Sequence, residues 1–149
     1  MGRYKSDKGH FDITESWHNY TTLYCLFKEW REKPLRLFEL GIGTTNESMA
    51  SNMGTDRPGA SLYGWHEFFP HAEIVGADID TDILFQTDAI QTFYCDQTNP
   101  STIQEMWDKL EPFDIIIEDG LHTFHANVCF FEHSIHKDKR VLHHRRYIT

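Results

Sequence analysis

The chain has 149 residues, a length that suits one folded domain, and it carries 23 Asp or Glu against 14 Lys or Arg, a formal net charge of -9. That charge argues against binding to nucleic acid phosphates or to anionic membrane surfaces. No apolar run approaches the roughly 20 residues of a membrane helix, and the N-terminus lacks the apolar core of a signal peptide, so we expect no membrane partner and a cytoplasmic location.

The first third of the chain predicts a helix, a strand and a second helix. Apolar residues recur at helical spacing over residues 12–31, and Pro34 ends this predicted N-terminal helix. A strand follows over residues 35–40. A glycine turn over residues 41–44 then leads into a second predicted helix that begins near Asn46.

The remaining residues predict strands that alternate with helices. The predicted elements are a loop over 53–59, a helix over 61–69, a strand over 73–77, a strand over 91–95, a helix over 100–110 capped by Asn99, a strand over 113–117 and a helix over 122–135. This rhythm is typical of an α/β protein with a Rossmann-like, doubly wound parallel sheet. The sequence predicts about four strands in the order 3-2-1-4, with flanking helices and an N-terminal helix.

Polar residues follow each predicted strand, and ligands of open α/β sheets bind at the carboxyl ends of the strands. Gly41 and Gly43 after the first strand allow a ligand to approach the backbone, although a tight turn needs glycine in any case. Asp78 ends the second strand, where an acidic residue hydrogen-bonds ribose in nucleotide-binding α/β folds. Its distance of 35 residues from Gly43 implies an insertion over residues 53–69.

Five ordered motifs resemble class I S-adenosylmethionine-dependent methyltransferases, and among them the macrolide and rhamnosyl sugar O-methyltransferases with the related cephalosporin hydroxylase-like proteins. FELGIG at residues 38–43 resembles motif I of the class. The residues that carry the narrower resemblance are segments 59–80, 95–97 and 115–122, together with the N-terminal residues 6–8 and 18–21. Cys95, Glu118 and Leu121 depart from the family pattern.

The resemblance implies a metal-assisted transfer of a methyl group from S-adenosylmethionine to a hydroxyl of a sugar or sugar-containing small molecule. It assigns Glu39, Gly41 and Gly43 to the methionine part of the cofactor, Asp78 to the ribose, Asp96 to the adenine amino group, Glu118 to cofactor binding, Asp119 to a divalent cation, for which Mg²⁺ is expected, and His122 to the general base. An alcohol is a poor nucleophile, so methyl transfer gains from a base that titrates near neutral pH and from a metal that stabilises the alkoxide.

Simpler interpretations of the same residues stay open. Asp119 before a glycine could cap the following helix. His122 and His125 are spaced as neighbours on a helix and could join Asp119 in a zinc site, although such histidines are more often surface or core groups. Trp65, Phe68 and Phe69 are expected to pack in the core. The cysteines are odd in number and widely spaced, so we expect reduced thiols.

The resemblance ends near residue 136, and the basic segment 137–149 lacks the fifth strand that the family would supply. We interpret the chain as an N-terminal helical segment (1–34), a partial methyltransferase domain (35–136) and a tail foreign to the family (137–149), produced by truncation or a frameshift. Two alternatives remain: a cofactor-binding fragment without catalysis, and a nucleotide-dependent oxidoreductase. The expected partner is a small-molecule or saccharide acceptor, and a homo-oligomer is possible.

Overall fold

One parallel sheet organises the part of the chain that the structure, a computed structural model, describes: residues 25–49, 52 and 57–138. Its strands are β1 (Arg36–Leu40), β2 (Glu73–Asp78), β3 (Ile90–Tyr94) and β4 (Ile115–Glu118), in the order β3-β2-β1-β4. The α-helices in the described residues are α1 (Ala60–Phe68), α2 (Pro100–Trp107) and α3 (Phe124–Ser134). The predicted fold class and strand order are therefore confirmed.

The register of the sheet brings all four carboxyl ends to one edge. Leu40, the last residue of β1, lies opposite Ala77 of β2 on one side and Glu118 of β4 on the other. On the far side of β2, Asp78 lies opposite Tyr94 of β3. Residues that follow the strands, although distant in sequence, are thus neighbours in space.

Alternate residues of each strand point to opposite faces of the sheet, and both faces are covered. On one face α1 packs onto the strands with its buried side chains, among them Leu62 and Trp65. On the other face α2 and α3 pack with Trp107 and Phe130 against side chains that include Phe38. The continuous apolar run of β4 is explained by this burial on both faces.

Helix boundaries follow local capping chemistry. The side chain of Asn99 accepts a hydrogen bond from the backbone of Ser101, and Pro100 occupies the first turn of α2, as the sequence predicts. The Thr123 side chain accepts from the backbone of Ala126 and caps α3. α1 and α3 lie within the predicted ranges or within one residue of them, whereas α2 ends at Trp107, three residues before the predicted end.

The second predicted helix is wrong over the residues that the structure describes. Residues 46–49 form a turn, in which the Asn46 side-chain oxygen accepts from both the backbone and the hydroxyl of Ser48. Such local hydrogen bonds compete with helical backbone bonds, which explains the difference. Most of the predicted N-terminal helix lies outside the described residues, and its final part is a 3-10 helix, Cys25–Trp30.

The predicted boundary at residue 137 falls where the chain returns to the sheet. The backbone N–H of Phe113, just before β4, donates to the carbonyl of Lys137 at 2.7 Å, and Phe113 forms a parallel bridge with Asp138. Residues 139–149, most of the predicted tail, lie outside the described part of the chain. Among the described residues, no helix is both long enough and apolar enough to span a membrane.

Candidate active site

A tight turn at the carboxyl end of β1 forms the centre of the candidate site. Gly41 and Gly43 have φ values of 82° and 85°, a left-handed conformation that residues with a Cβ rarely adopt. A Cβ at Gly41 would overlap the backbone carbonyl of Asp119 in the loop after β4. Glycine is therefore required at position 41 both by the backbone conformation and by the close approach of the two loops.

Asp78 at the end of β2 holds this turn in place. Its Oδ2 accepts a hydrogen bond from the backbone N–H of Ile42 at 2.9 Å, and its Oδ1 accepts from the N–H of Asp80 at 3.0 Å. The side chain is only 6% exposed. Each carboxylate oxygen can accept more than one hydrogen bond, so these contacts are compatible with the predicted ribose contact, which stays a prediction.

Asp80 is a second buried acidic residue beside the turn, and no role was predicted for it from the sequence. The Thr44 hydroxyl donates to its Oδ2, and the backbone of Asp82 donates to its Oδ1. Thr44 and Asp80 are both buried. The pair ties the segment after the glycine turn to the end of β2, and the acidic pattern Asp-x-Asp at residues 78–80 was the available sequence signal.

Glu39 is buried in the core beneath α1. Its side chain is fully buried, and Trp65 of α1 donates its indole N–H to Oε2 at 2.5 Å. Side chains alternate along β1, so Glu39 shares the α1 face with Leu37. Trp65 is confirmed as a core residue, whereas the contact of Glu39 with the methionine part of a cofactor stays a prediction.

Asp96 follows β3 and keeps one carboxylate oxygen open. Its Oδ1 accepts from the backbone N–H and the hydroxyl of Thr98, at 2.9 and 2.7 Å. Within the described residues Oδ2 has no hydrogen-bond partner, and the side chain is half-buried. An accepting oxygen at this edge suits an amino group of a ligand such as adenine.

The loop after β4 brings Asp119 and His122 together. The Asp119 Oδ1 and the His122 Nε2 are 3.5 Å apart, with the carboxylate largely covered and the imidazole 63% exposed. His122 has a φ of 54°, the single positive value among the non-glycine residues that the structure describes. A carboxylate beside an accessible imidazole can orient the ring for proton transfer.

Gln97 joins the loop after β3 to the loop after β4. Its side-chain oxygen accepts from the backbone N–H of Leu121 at 2.6 Å, and its amide nitrogen donates to Glu118 Oε1 at 3.1 Å. From the sequence, Gln97 was recognised only as part of a motif, because its partners lie more than 20 residues away along the chain. Glu118 is thus occupied by protein donors through one oxygen, and its predicted role in cofactor binding stays a prediction.

The donor chemistry of the loop after β4 fits one ligand to a hard cation. Mg²⁺ is usually held by one or two carboxylates together with waters and substrate oxygens, and Asp119 offers such a carboxylate. In residues 25–49, 52 and 57–138, no three His, Cys, Asp or Glu side chains are grouped as metal ligands. Asp119 therefore fits as a contributor to a magnesium site and does not complete one within this part of the chain.

The sheet and the residues at its strand ends together define a class of protein. A parallel sheet in the order β3-β2-β1-β4, with a glycine turn after β1 and acidic residues after β2 and β3, is the Rossmann-like fold of class I methyltransferases. No protein-family model matches the chain. Individual proteins and solved structures do match it.

The chain is a homologue of sugar O-methyltransferases over the segment that they share. It is 33% identical over 108 residues to the 8-demethyl-8-(2-methoxy-alpha-L-rhamnosyl)-tetracenomycin-C 3'-O-methyltransferase of Streptomyces olivaceus, covering 72% of this chain and 26% of the relative. It is 33% identical over 128 residues to the demethylmacrocin O-methyltransferase of Streptomyces fradiae, covering 76% of this chain and 30% of the relative. The chain thus spans between a quarter and a third of the length of these relatives.

A solved methyltransferase has the same arrangement of elements. The MycE methyltransferase from the mycinamycin biosynthetic pathway, determined in complex with Mg and SAH, superposes with a TM-score of 0.74 at 26% sequence identity. The superposition covers 93% of this chain and 35% of that chain. The chain therefore corresponds to about a third of a methyltransferase subunit of this kind.

Proposed function

We propose that the chain binds S-adenosylmethionine at the carboxyl edge of its sheet and contributes the cofactor half of a metal-assisted O-methyltransferase. The acceptor is a hydroxyl group of a sugar or a sugar-containing small molecule. The observation that carries the proposal is the contact between the Gly41 turn and the backbone of Asp119, which joins the glycine turn to the loop of Asp119 and His122. The homology to sugar O-methyltransferases supports the same assignment.

In this proposal each residue at the carboxyl edge of the sheet has a separate role. Gly41 and Gly43 give the cofactor access to the backbone, Asp78 accepts from the ribose and the open oxygen of Asp96 accepts from the adenine amino group. Bound S-adenosylmethionine supplies an electrophilic methyl group. The exposed His122 takes the proton of the acceptor hydroxyl, and Asp119 orients the imidazole and provides one carboxylate for Mg²⁺.

The proposed setting follows from the same features. The proposed partner is a small-molecule or saccharide acceptor, and the solved MycE structures include a complex with Mycinamycin VI. We also propose a cytoplasmic location, supported by the free and buried thiols of Cys95 and Cys129. Association of the chain with itself stays a prediction.

Calorimetric titration with SAH, S-adenosylmethionine and NAD tests the proposal. We expect SAH and S-adenosylmethionine to bind and NAD not to bind. Asp78→Ala should weaken SAH binding by about tenfold or more, because a buried carboxylate that accepts ligand hydrogen bonds is removed. Asp119→Ala should leave SAH affinity nearly unchanged. It should weaken the dependence of methyl transfer on Mg²⁺.

Asp82→Ala is the matched control, since Asp82 is an exposed carboxylate close to Asp78 in the chain. Binding without methyl transfer to a panel of deoxysugar glycosides would favour a cofactor-binding fragment. Binding of NAD in place of SAH would favour the nucleotide-dependent oxidoreductase. Wild-type SAH affinity in both Asp78→Ala and Asp119→Ala, with unchanged Mg²⁺ dependence, would contradict the site.

A further inference from the structure

We infer that Gln97 is a positioning residue that fixes the loop carrying Asp119 and His122, an inference that rests on the proposed function. Gln97 lies in the turn after β3 and is only 7% exposed. Both ends of its amide are used: the oxygen accepts from the N–H of Leu121 at 2.6 Å, and the nitrogen donates to Glu118 at 3.1 Å. One side chain therefore hydrogen-bonds to residues on both sides of Asp119 in the chain.

The backbone of Gly120 lies close against the Gln97 side chain. A Cβ at Gly120 would overlap the Gln97 oxygen, so the loop can close over the amide only with glycine at this position. The N–H of Gly120 donates at 3.0 Å to the same Glu118 oxygen that accepts from Gln97. Glu118, Gly120 and Leu121 therefore form one hydrogen-bonded unit with Gln97 at its centre.

The opposite side of the loop is held by β1. The backbone N–H of Asp119 donates to the carbonyl of Leu40 at 2.9 Å, and the Gly41 turn lies against the Asp119 carbonyl. Held from both sides, the loop keeps His122 at a φ of 54°, a backbone conformation that disfavours a side chain with a Cβ. Release of either side is expected to let the backbone of His122 relax and move its imidazole away from Asp119.

The residue type at position 97 matters because the amide supplies one acceptor and one donor. Glutamate has the same shape but offers only acceptors when ionised, and its carboxylate would face Glu118. Alanine removes both hydrogen bonds. Gln97→Ala therefore tests the loss of both hydrogen bonds, whereas Gln97→Glu tests the replacement of the contact with Glu118 by repulsion between two carboxylates. Both substitutions should release the loop.

The experiment compares the wild-type chain with Gln97→Ala, Gln97→Glu and the control Gln104→Ala. Gln104 is an exposed glutamine of α2 whose amide donates to Asp108, away from the loop after β4. Amide hydrogen exchange of Gly120 and Leu121 measures the order of the loop without reference to activity. Mn²⁺ binding in the presence of SAH, monitored by electron paramagnetic resonance, measures the positioning of Asp119. Asp119→Asn is the reference for lost binding.

We expect the Leu121 amide to exchange about tenfold faster or more in both Gln97 variants, because alanine removes its acceptor and glutamate releases the loop through repulsion with Glu118. Mn²⁺ affinity should fall by about tenfold, the usual effect of removing a group that orients a metal ligand. SAH affinity, measured by calorimetry, should stay near the wild-type value. Gln104→Ala should match the wild type in all three measurements.

Unchanged exchange at Leu121 in both variants would overturn the inference. Faster exchange with unchanged Mn²⁺ affinity would also overturn it, because Gln97 would then order the loop without positioning Asp119. A wild-type chain that binds neither SAH nor Mn²⁺ would contradict the proposed function instead. In that case, faster exchange confined to the Gln97 variants would still support Gln97 as the residue that orders the loop.

Discussion

The Asp78 carboxylate combines two tasks in one buried side chain. It accepts from the backbone of Ile42 in the glycine turn and from the backbone of Asp80 beyond β2. These hydrogen bonds hold the glycine turn against the end of β2. A group that is already held by two backbone donors offers its remaining lone pairs in a fixed direction, which suits recognition of adjacent hydroxyl groups.

Replacement of Asp78 by alanine is expected to lower the free energy of unfolding as well as ligand affinity. Two backbone N–H groups at a buried site would lose their acceptor, at a cost of about 1–3 kcal/mol. Urea unfolding measures this change. Asp78→Asn, which keeps one accepting oxygen, should lose less, and Asp82→Ala should behave as the wild type. A fully stable Asp78→Ala chain would show that these hydrogen bonds contribute little.

Single residues were predicted with uneven success because their partners are distant in sequence. The strand-end position of Asp78 and Asp96 follows from local pattern alone. The burial of Glu39 beneath α1 could have been derived from alternation along β1, since Leu37 and Glu39 must share a face. The contacts of Gln97 with the loop after β4 could not, because they depend on how two strand ends are placed side by side.

Elements were predicted well where hydrophobic pattern and capping residues agree. The apolar runs predict all four strands, and Asn99 with Pro100 predicts the start of α2. The helix expected near Asn46 failed in the described residues because side-chain hydrogen bonds at Asn46 favour a turn. Short polar segments of this kind carry too little hydrophobic periodicity to decide between a turn and a helix.

Arg36 links strand elements at the amino edge of the sheet, opposite the candidate site. Its guanidinium donates to both oxygens of Glu73 in β2 at 2.7 and 2.8 Å, and it also donates to the carbonyls of Glu111 and Pro112 before β4. The same group lies 4.4 Å from the centre of the Phe113 ring. A planar guanidinium fits this set of partners in a way that a lysine ammonium cannot.

Arg36→Ala is therefore expected to destabilise the sheet by about 1–2 kcal/mol, a modest value because Glu73 is half exposed to solvent. Arg36→Lys should recover little of this loss, since lysine restores the charge but not the planar set of donors of the guanidinium. Thermal unfolding checks the stability, and calorimetry should find the SAH affinity unchanged at the opposite edge. Arg31→Ala, which removes an exposed ion pair with Glu32 and an exposed hydrogen bond to the Phe68 carbonyl, is the control. A loss of stability in Arg31→Ala equal to that in Arg36→Ala would contradict the argument.

At the scale of the whole molecule, the order of the strands was predictable from the sequence. The strand order follows from the alternation of strands and helices together with the resemblance to methyltransferases. The predicted boundary at residue 137 stays a prediction, and Lys137 and Asp138 already contact Phe113 beside β4.

Stability of the whole fold should fall at alkaline pH through Cys95. This thiol follows β3 and is 1% exposed. Burial, and then the negative charge of Asp96, raises the pKa of Cys95 from 9.0 to about 12. The folded state therefore favours the protonated thiol, whereas the unfolded chain releases the proton above pH 9. The stability contributed by this difference is complete below pH 9 and is lost as the pH rises towards 12.

Urea unfolding between pH 8 and pH 11 tests this linkage in the wild type and in Cys95→Ala. Above pH 9 the free energy of unfolding of the wild type should fall by up to about 1.4 kcal/mol per pH unit more steeply than that of the variant. Burial also raises the pKa of Cys129, so the variant should keep a residual slope. Identical slopes, or rapid alkylation of Cys95 in the folded chain at pH 9, would show that the thiolate forms readily inside the fold.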